Sequence, residues 1–175
     1  MPLGLANKIT VARVLIVPFV IVFMFLERPW ARHVAVLLFV VGALTDLLDG
    51  YLARLRGDVT LVGKLLDPMA DKLLVSSVLI ALVEMERLPG WLVILLISRE
   101  FVVSTLRLLA LLHGAVIPAA FGGKLKTFLQ MLGISMAILE IRGYMLVMLA
   151  SALVSLASGF LYARRALEVV GSSRS

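Results

Sequence analysis

Four aspartates stand in two short stretches of a strongly apolar chain. The first is Thr45-Asp46-Leu47-Leu48-Asp49-Gly50-Tyr51-Leu52-Ala53-Arg54, and the second is Gly63-Lys64-Leu65-Leu66-Asp67-Pro68-Met69-Ala70-Asp71-Lys72. On a helix Asp46, Asp49, Gly50 and Ala53 fall at i, i+3, i+4 and i+7, and Gly63, Asp67 and Asp71 at i, i+4 and i+8, so each stretch presents one face. Two facing helices would gather four carboxylates at one point. Like charges so close repel unless cations lie between them, and hard divalent ions with oxygen ligands answer that need. Gly50 and Gly63 would let a bulky group approach the backbone closely.

The elements that must position these residues are membrane-spanning helices. Apolar runs separated by charged or Pro/Gly-bearing turns divide the chain into six segments, near 8–27, 33–55, 61–83, 89–112, 123–141 and 144–165. Each is close to the roughly 20 residues a helix needs to cross the hydrocarbon core. The fold class expected is therefore all-α, an integral membrane protein of six transmembrane helices with a polar active site within the membrane, open to the cytoplasm. Residues 1–170 read as one domain and 171–175 as a flexible tail. Pro18 falls inside the first span, where a kink is expected.

Composition supports the membrane class. The chain has 175 residues, a hydrophobic fraction of 62% and a mean hydropathy of +1.08, well above the roughly 45–50% apolar content of soluble domains. With no cysteine, disulfides, thiolate metal sites and cysteine nucleophiles are excluded, and carboxylates are the main ligand resource. His33 and His113 are far apart and read as ordinary interfacial histidines. The net charge of +6 does not indicate nucleic acid, because the basic residues are interleaved with apolar spans; anionic membrane lipids and anionic substrates account for it better.

Thirteen of the seventeen lysines and arginines fall on one side of the expected topology, leaving Arg28, Arg32, Arg87 and Arg142 on the other. That asymmetry puts both termini in the cytoplasm and Trp30 and Trp91 at the outer interface. At 1.5 Å per residue, Asp46 and Asp71 would lie roughly 15 Å inside the cytoplasmic helix ends. On the sixth span Ser151, Ser155 and Gly159 form a stripe of small residues, read as close packing within the subunit.

A second constellation is basic. Arg99 lies within the fourth span beside Glu100, Arg107 is eight residues further on, and Lys124 and Lys126 open the fifth. Arg107, Lys124 and Lys126 could each be ordinary residues reaching for the interface. Arg99, about 12 Å deeper than Arg107, calls for a carboxylate or phosphate partner. Together the four cations would make a pocket for a phosphate monoester.

Two alternatives compete for the aspartates. A purely structural polar network is disfavoured by the cost of ionisable groups at mid-membrane, about 2.5–3.5 kcal/mol each on insertion scales. An ion or proton pathway explains the acids but not Gly50, Ala53, Arg54 and Gly63 at their fixed offsets.

Those offsets carry a resemblance. Asp46-x2-Asp49-Gly50-x2-Ala53-Arg54-x8-Gly63-x3-Asp67-x3-Asp71 is similar at all eight fixed positions to the motif of the CDP-alcohol phosphotransferases. The resemblance implies two divalent cations, Mg2+ or Mn2+, held by Asp46, Asp49, Asp67 and Asp71, with Asp71 also the general base. It further implies binding of the cytidine diphosphate moiety by Asp49, Gly50, Ala53, Arg54 and Gly63. The Gly63–Lys72 run, Ser98-Arg99-Glu100 with Arg107, and Gly123-Lys124-x-Lys126-Thr127 resemble the bacterial phosphatidylglycerophosphate synthase branch. So does the opening Asn7-Lys8-Ile9-Thr10 with Arg13 and Pro18. This branch implies phosphatidyl transfer from CDP-diacylglycerol to sn-glycerol 3-phosphate in phospholipid biosynthesis, placement in the plasma membrane and a homodimer. Cardiolipin synthases that use CDP-diacylglycerol share the aspartate motif and are the nearest alternative. Their acceptor is a lipid, which a small phosphate pocket built from Lys124 and Lys126 argues against.

Overall fold

A computed structural model describes the backbone of residues 5–26, 28–56, 61–112 and 121–172, and the side chains of residues 14–26, 28–45, 72–110, 122–164 and 166. The secondary structure of the described residues is entirely helical: α1 Leu5–Phe25, α2 Pro29–Arg56, α3 Leu61–Glu84, α4 Gly90–Leu112, α5 Phe121–Ile138 and α6 Tyr144–Ser172.

These helices coincide with the six expected segments, and the ends that differ have local causes. Helix α2 begins at Pro29, earlier than expected, because proline suits the first helical position, where its missing N–H has no partner to lose. Helix α6 continues past residue 165 to Ser172, since Arg, Ala, Leu and Glu favour helix whether or not they are apolar. Helix α5 stops at Ile138 because the chain turns into the left-handed region at Glu140 (φ 56°).

By length and composition, one described stretch, the 21 residues Tyr144–Arg164, is long and apolar enough to cross a membrane; Val14–Phe25 and Pro29–Thr45 are shorter apolar stretches. Large apolar side chains are exposed on every helix, among them Phe19, Leu37, Ile80, Ile94, Phe128 and Phe160. A protein surrounded by water rarely shows so much apolar surface, so the fold fits a helical membrane protein.

Two compact units are present. One comprises Met1–Arg87 with Ser135–Ile141, the other Leu88–Ile134 with Arg142–Ser175. In the first, α1, α2 and α3 pack against one another around buried Val20, Met24, Ala35, Phe39, Leu74 and Leu82. In the second, α4 packs against α6, and α5 meets α6 where a Cβ on Gly133 would lie 2.6 Å from the Met148 Sδ. Ser151 and Ser155 on α6 are fully buried, and a Cβ on Gly159 would meet Arg99 and Val103 of α4. The small-residue stripe thus serves packing within the chain, as expected.

Helices α3 and α5 end in the same device. After α3, the Glu86 N–H donates to the Val83 carbonyl and the Arg87 N–H to the Leu82 carbonyl, both at 2.9 Å. After α5, the Glu140 N–H donates to Ala137 at 3.3 Å and the Ile141 N–H to Met136 at 2.9 Å. This paired pattern closes a helix through one left-handed residue, a place that favours glycine, yet glutamate occupies it in both cases, with φ 56°.

Glu140 compensates with ion pairs, to Arg32 at 2.5 Å and Arg87 at 2.6 Å. The other Arg87 Nη donates to the Ile138 and Ala137 carbonyls at the end of α5, at 3.0 and 3.4 Å, where a cation also complements the helix dipole. No such pair is present at Glu86 among the described residues. Replacing a left-handed glutamate by glycine relieves about 1 kcal/mol of backbone strain. Glu86→Gly is therefore expected to raise the thermal unfolding midpoint in detergent, whereas Glu140→Gly, which loses two ion pairs, should leave it unchanged or lower it.

Candidate functional site

The acidic stretches lie on α2 and α3 of the first unit. Asp46, Asp49, Gly50, Ala53 and Arg54 are in α2, and Gly63, Asp67 and Asp71 are in α3. The backbone of all eight is helical, as the spacing requires; their side chains lie outside the described residues. What α2 and α3 do show is their register. A Cβ on Gly42 would stand 2.9 Å from the Leu74 Cδ2, so the two helices approach closely there. Asp46 follows Gly42 at i+4, and Asp71 and Asp67 precede Leu74 at i−3 and i−7, positions that share a helix side with the contact.

Thr45, next to the first aspartate, spends its hydroxyl on its own helix, donating to the Val41 and Gly42 carbonyls at 2.9 and 2.8 Å. Asp46, Asp49, Asp67 and Asp71 offer only oxygen donors, the ligand type that suits hard divalent cations. His33 is exposed and engages the Pro29 carbonyl through Nδ1 at 2.7 Å, and His113 lies outside the described residues.

The basic residues belong to the second unit, and a carboxylate organises two of them. Glu100 Oε2 accepts from Lys126 Nζ and pairs with Arg99 Nη1 at 3.5 Å. Lys126 is buried, with 7% of its side chain exposed, and Arg99 nearly so at 12%. Arg99 also reaches α6: Nε donates to the Ser155 carbonyl at 2.9 Å and Nη2 to Ser158 Oγ at 2.8 Å. Ser158 Oγ in turn donates to the Ser155 carbonyl at 3.1 Å. Close approach is what makes this possible, since a Cβ on Gly159 would stand 2.9 Å from the Arg99 Nε.

Arg107 and Lys124 sit differently. Arg107, about two helical turns beyond Arg99 on α4, lies over the Tyr162 ring with its Cζ 5.7 Å from the centroid, a favourable cation–π distance. Tyr162 is buried beside Val103 and Ala166, and its hydroxyl has no hydrogen-bond partner among the described residues. Lys124 is exposed, two positions from buried Lys126 and so on another side of α5. Of the four expected phosphate-binding cations, Arg99 and Lys126 are thus brought together on Glu100, Arg107 lies over Tyr162, and Lys124 is exposed.

Ser158, Gln130 and Tyr162 were not among the expected site residues. A signal for them was available. Gln130 is a polar residue at i+4 from Lys126 on an apolar helix and is 6% exposed; Ser158 and Tyr162 extend the stripe of Ser151 and Ser155 at helical spacing.

Known proteins resemble this chain over most of its length. The sequence model of the CDP-alcohol phosphatidyltransferase family matches residues 3–160. The chain is 42% identical over 149 residues to the CDP-diacylglycerol–glycerol-3-phosphate 3-phosphatidyltransferase of Bacillus subtilis, covering 78% of this chain and 77% of that one. It is 39% identical over 179 aligned positions to a Mycobacterium tuberculosis protein named "Probable phosphatidylglycerophosphate synthase", covering 98% and 85%. A Rickettsia typhi protein with the same name as the Bacillus one is 41% identical over 140 residues, covering 80% and 79%.

The Arg99 clamp is testable through Gly159. Overpacking of this kind typically costs about 1–3 kcal/mol, so Gly159→Ala should push Arg99 off the Ser155 carbonyl and lower the unfolding midpoint in detergent. The control is Gly123→Ala, whose new Cβ meets nothing within 4 Å and which should leave the midpoint level or slightly raised.

Proposed function

The chain belongs to the CDP-alcohol phosphatidyltransferase family, and from that premise we propose that it transfers a phosphatidyl group from CDP-diacylglycerol to sn-glycerol 3-phosphate, giving phosphatidylglycerophosphate and CMP. The observation that carries this reading is its similarity, over 98% of its own length, to a protein named as a phosphatidylglycerophosphate synthase, joined to the same enzyme name at 42% identity.

In the proposed reaction the acceptor hydroxyl oxygen forms a bond to the phosphatidyl phosphorus, the bond from that phosphorus to the bridging pyrophosphate oxygen breaks, and CMP leaves. Asp71 takes the hydroxyl proton. Asp46, Asp49, Asp67 and Asp71 would hold two Mg2+ or Mn2+ ions, which when bound neutralise charge on the phosphate oxygens. Asp49, Gly50, Ala53, Arg54 and Gly63 bind the cytidine diphosphate moiety. Arg99, Arg107, Lys124 and Lys126 bind the acceptor phosphate. The proposal extends to one transmembrane domain over residues 1–170 followed by a short tail, with six spans, a cytoplasm-facing site, both termini in the cytoplasm, a place in the plasma membrane and a homodimeric state.

Release of CMP from CDP-diacylglycerol in detergent, measured against a panel of acceptors, tests the function. Glycerol 3-phosphate should be the best acceptor, and turnover should cease on exhaustive chelation and return with Mg2+ or Mn2+. Phosphatidylglycerol as the better acceptor would move the assignment to the cardiolipin type. Cation flux in proteoliposomes without CMP release from any alcohol would move it to a transporter.

Acceptor recognition gives a sharper test. Charge-assisted hydrogen bonds to phosphate contribute roughly 1.5–3 kcal/mol each, so Arg107→Ala or Lys124→Ala should raise the KM for glycerol 3-phosphate by about ten- to a hundredfold. The KM for CDP-diacylglycerol should change little.

A further inference from the structure

An acid stands among the cations assigned to the acceptor phosphate, where its own charge opposes an incoming dianion. We propose that Glu100 is a positioning residue for acceptor recognition, acting through Lys126 and Arg99; the inference rests on the reading above that these cations meet the phosphate.

The geometry supports this in three ways. First, a single oxygen, Glu100 Oε2, engages both Lys126 Nζ and Arg99 Nη1, so one carboxylate fixes the separation of two cations carried on α5 and α4. Second, Lys126 is buried, and an ammonium withdrawn from water needs a counter-charge if it is to keep its place. Glu100 supplies it through one of the three N–H donors, which leaves the ammonium donors to offer. Third, the carboxylate is itself braced. Arg99, with which it is paired, is held by the Ser155 carbonyl and Ser158 Oγ.

Two effects of Glu100 therefore oppose each other. Its charge repels the phosphate, and its hydrogen bonds hold the groups that attract it. The proposal is that the second dominates. Glu100→Gln keeps the side-chain shape, removes the charge and releases Lys126 and Arg99. It is expected to raise the KM for glycerol 3-phosphate about tenfold, the worth of one charged hydrogen bond, with kcat and the KM for CDP-diacylglycerol within about twofold. Glu100→Asp should recover part of the loss. In a Lys126→Ala background the same change should cost less than about twofold, because residues acting through one another are not additive.

A lower or unchanged KM for glycerol 3-phosphate in Glu100→Gln overturns the proposal, since repulsion would then equal or exceed positioning. A full tenfold cost persisting in the Lys126→Ala background overturns it as well, as does a fall in kcat at constant KM. Unfolding midpoints in detergent, recorded alongside, separate a loss of folded protein from a loss of acceptor binding. A wild-type protein that does not use glycerol 3-phosphate overturns this inference together with the proposed function; normal wild-type use with an unchanged variant KM overturns the positioning role alone.

Discussion

Removing a charge from water costs several kcal/mol that only a partner charge and further hydrogen bonds can offset. In a chain that is 62% hydrophobic, this constraint decides where polar groups can stand. Arg99 shows how completely it operates. Each guanidinium nitrogen has a partner, from the Ser155 carbonyl, Glu100 and Ser158 Oγ, and one of these is a main-chain carbonyl inside α6. That carbonyl is reached because α6 carries glycine at 159, where any side chain would meet the Arg99 Nε. The packing of α4 on α6 and the solvation of Arg99 are therefore one problem with one solution.

Much of the fold was legible because the same constraint writes itself into the sequence. Six apolar runs broken by charged turns located the six helices of the described residues, and the motif spacing put the acidic stretches on two of them. The helix ends were less legible, for physical reasons. Hydropathy registers transfer energy, so it stopped at the last apolar residue of α6, whereas helix propensity carried the backbone on to Ser172. The end of α5 depends on a glutamate in the left-handed region at Glu140. Residue type argues against that conformation, and it is sustained by Arg32 and Arg87, partners 108 and 53 residues distant in sequence.

The candidate site divides the same way. The aspartates, Arg99 and the two lysines were identified from type and spacing, but the sequence treats Lys124 and Lys126 as equivalents. The fold does not, since Lys124 is exposed and Lys126 is buried on Glu100. A spacing of two on a helix separates side chains by about 200°, so this difference follows once α5 is known to pack through Lys126 and Gln130. Tyr162 is different again. Its spacing continues the Ser151/Ser155 stripe, but its contact with Arg107 depends on how α4 and α6 pack.

Glu100 and Glu140 each join two cations, in different settings. Glu140 does so through both oxygens and Glu100 through Oε2; Glu140 has 47% of its side chain exposed and Glu100 has 35%, and the cations differ more than the acids. Arg87 turns its other Nη on the carbonyls that end α5, so one of the two cations on Glu140 is committed to closing a helix. Around Glu100, Arg99 is committed to α6, but the Lys126 ammonium has three donors, of which the carboxylate takes one. A lysine so placed keeps hydrogen-bonding capacity that a fully engaged arginine lacks. The distinction between a cluster that fastens the fold and one proposed to bind an anion therefore rests on which cation the carboxylate holds.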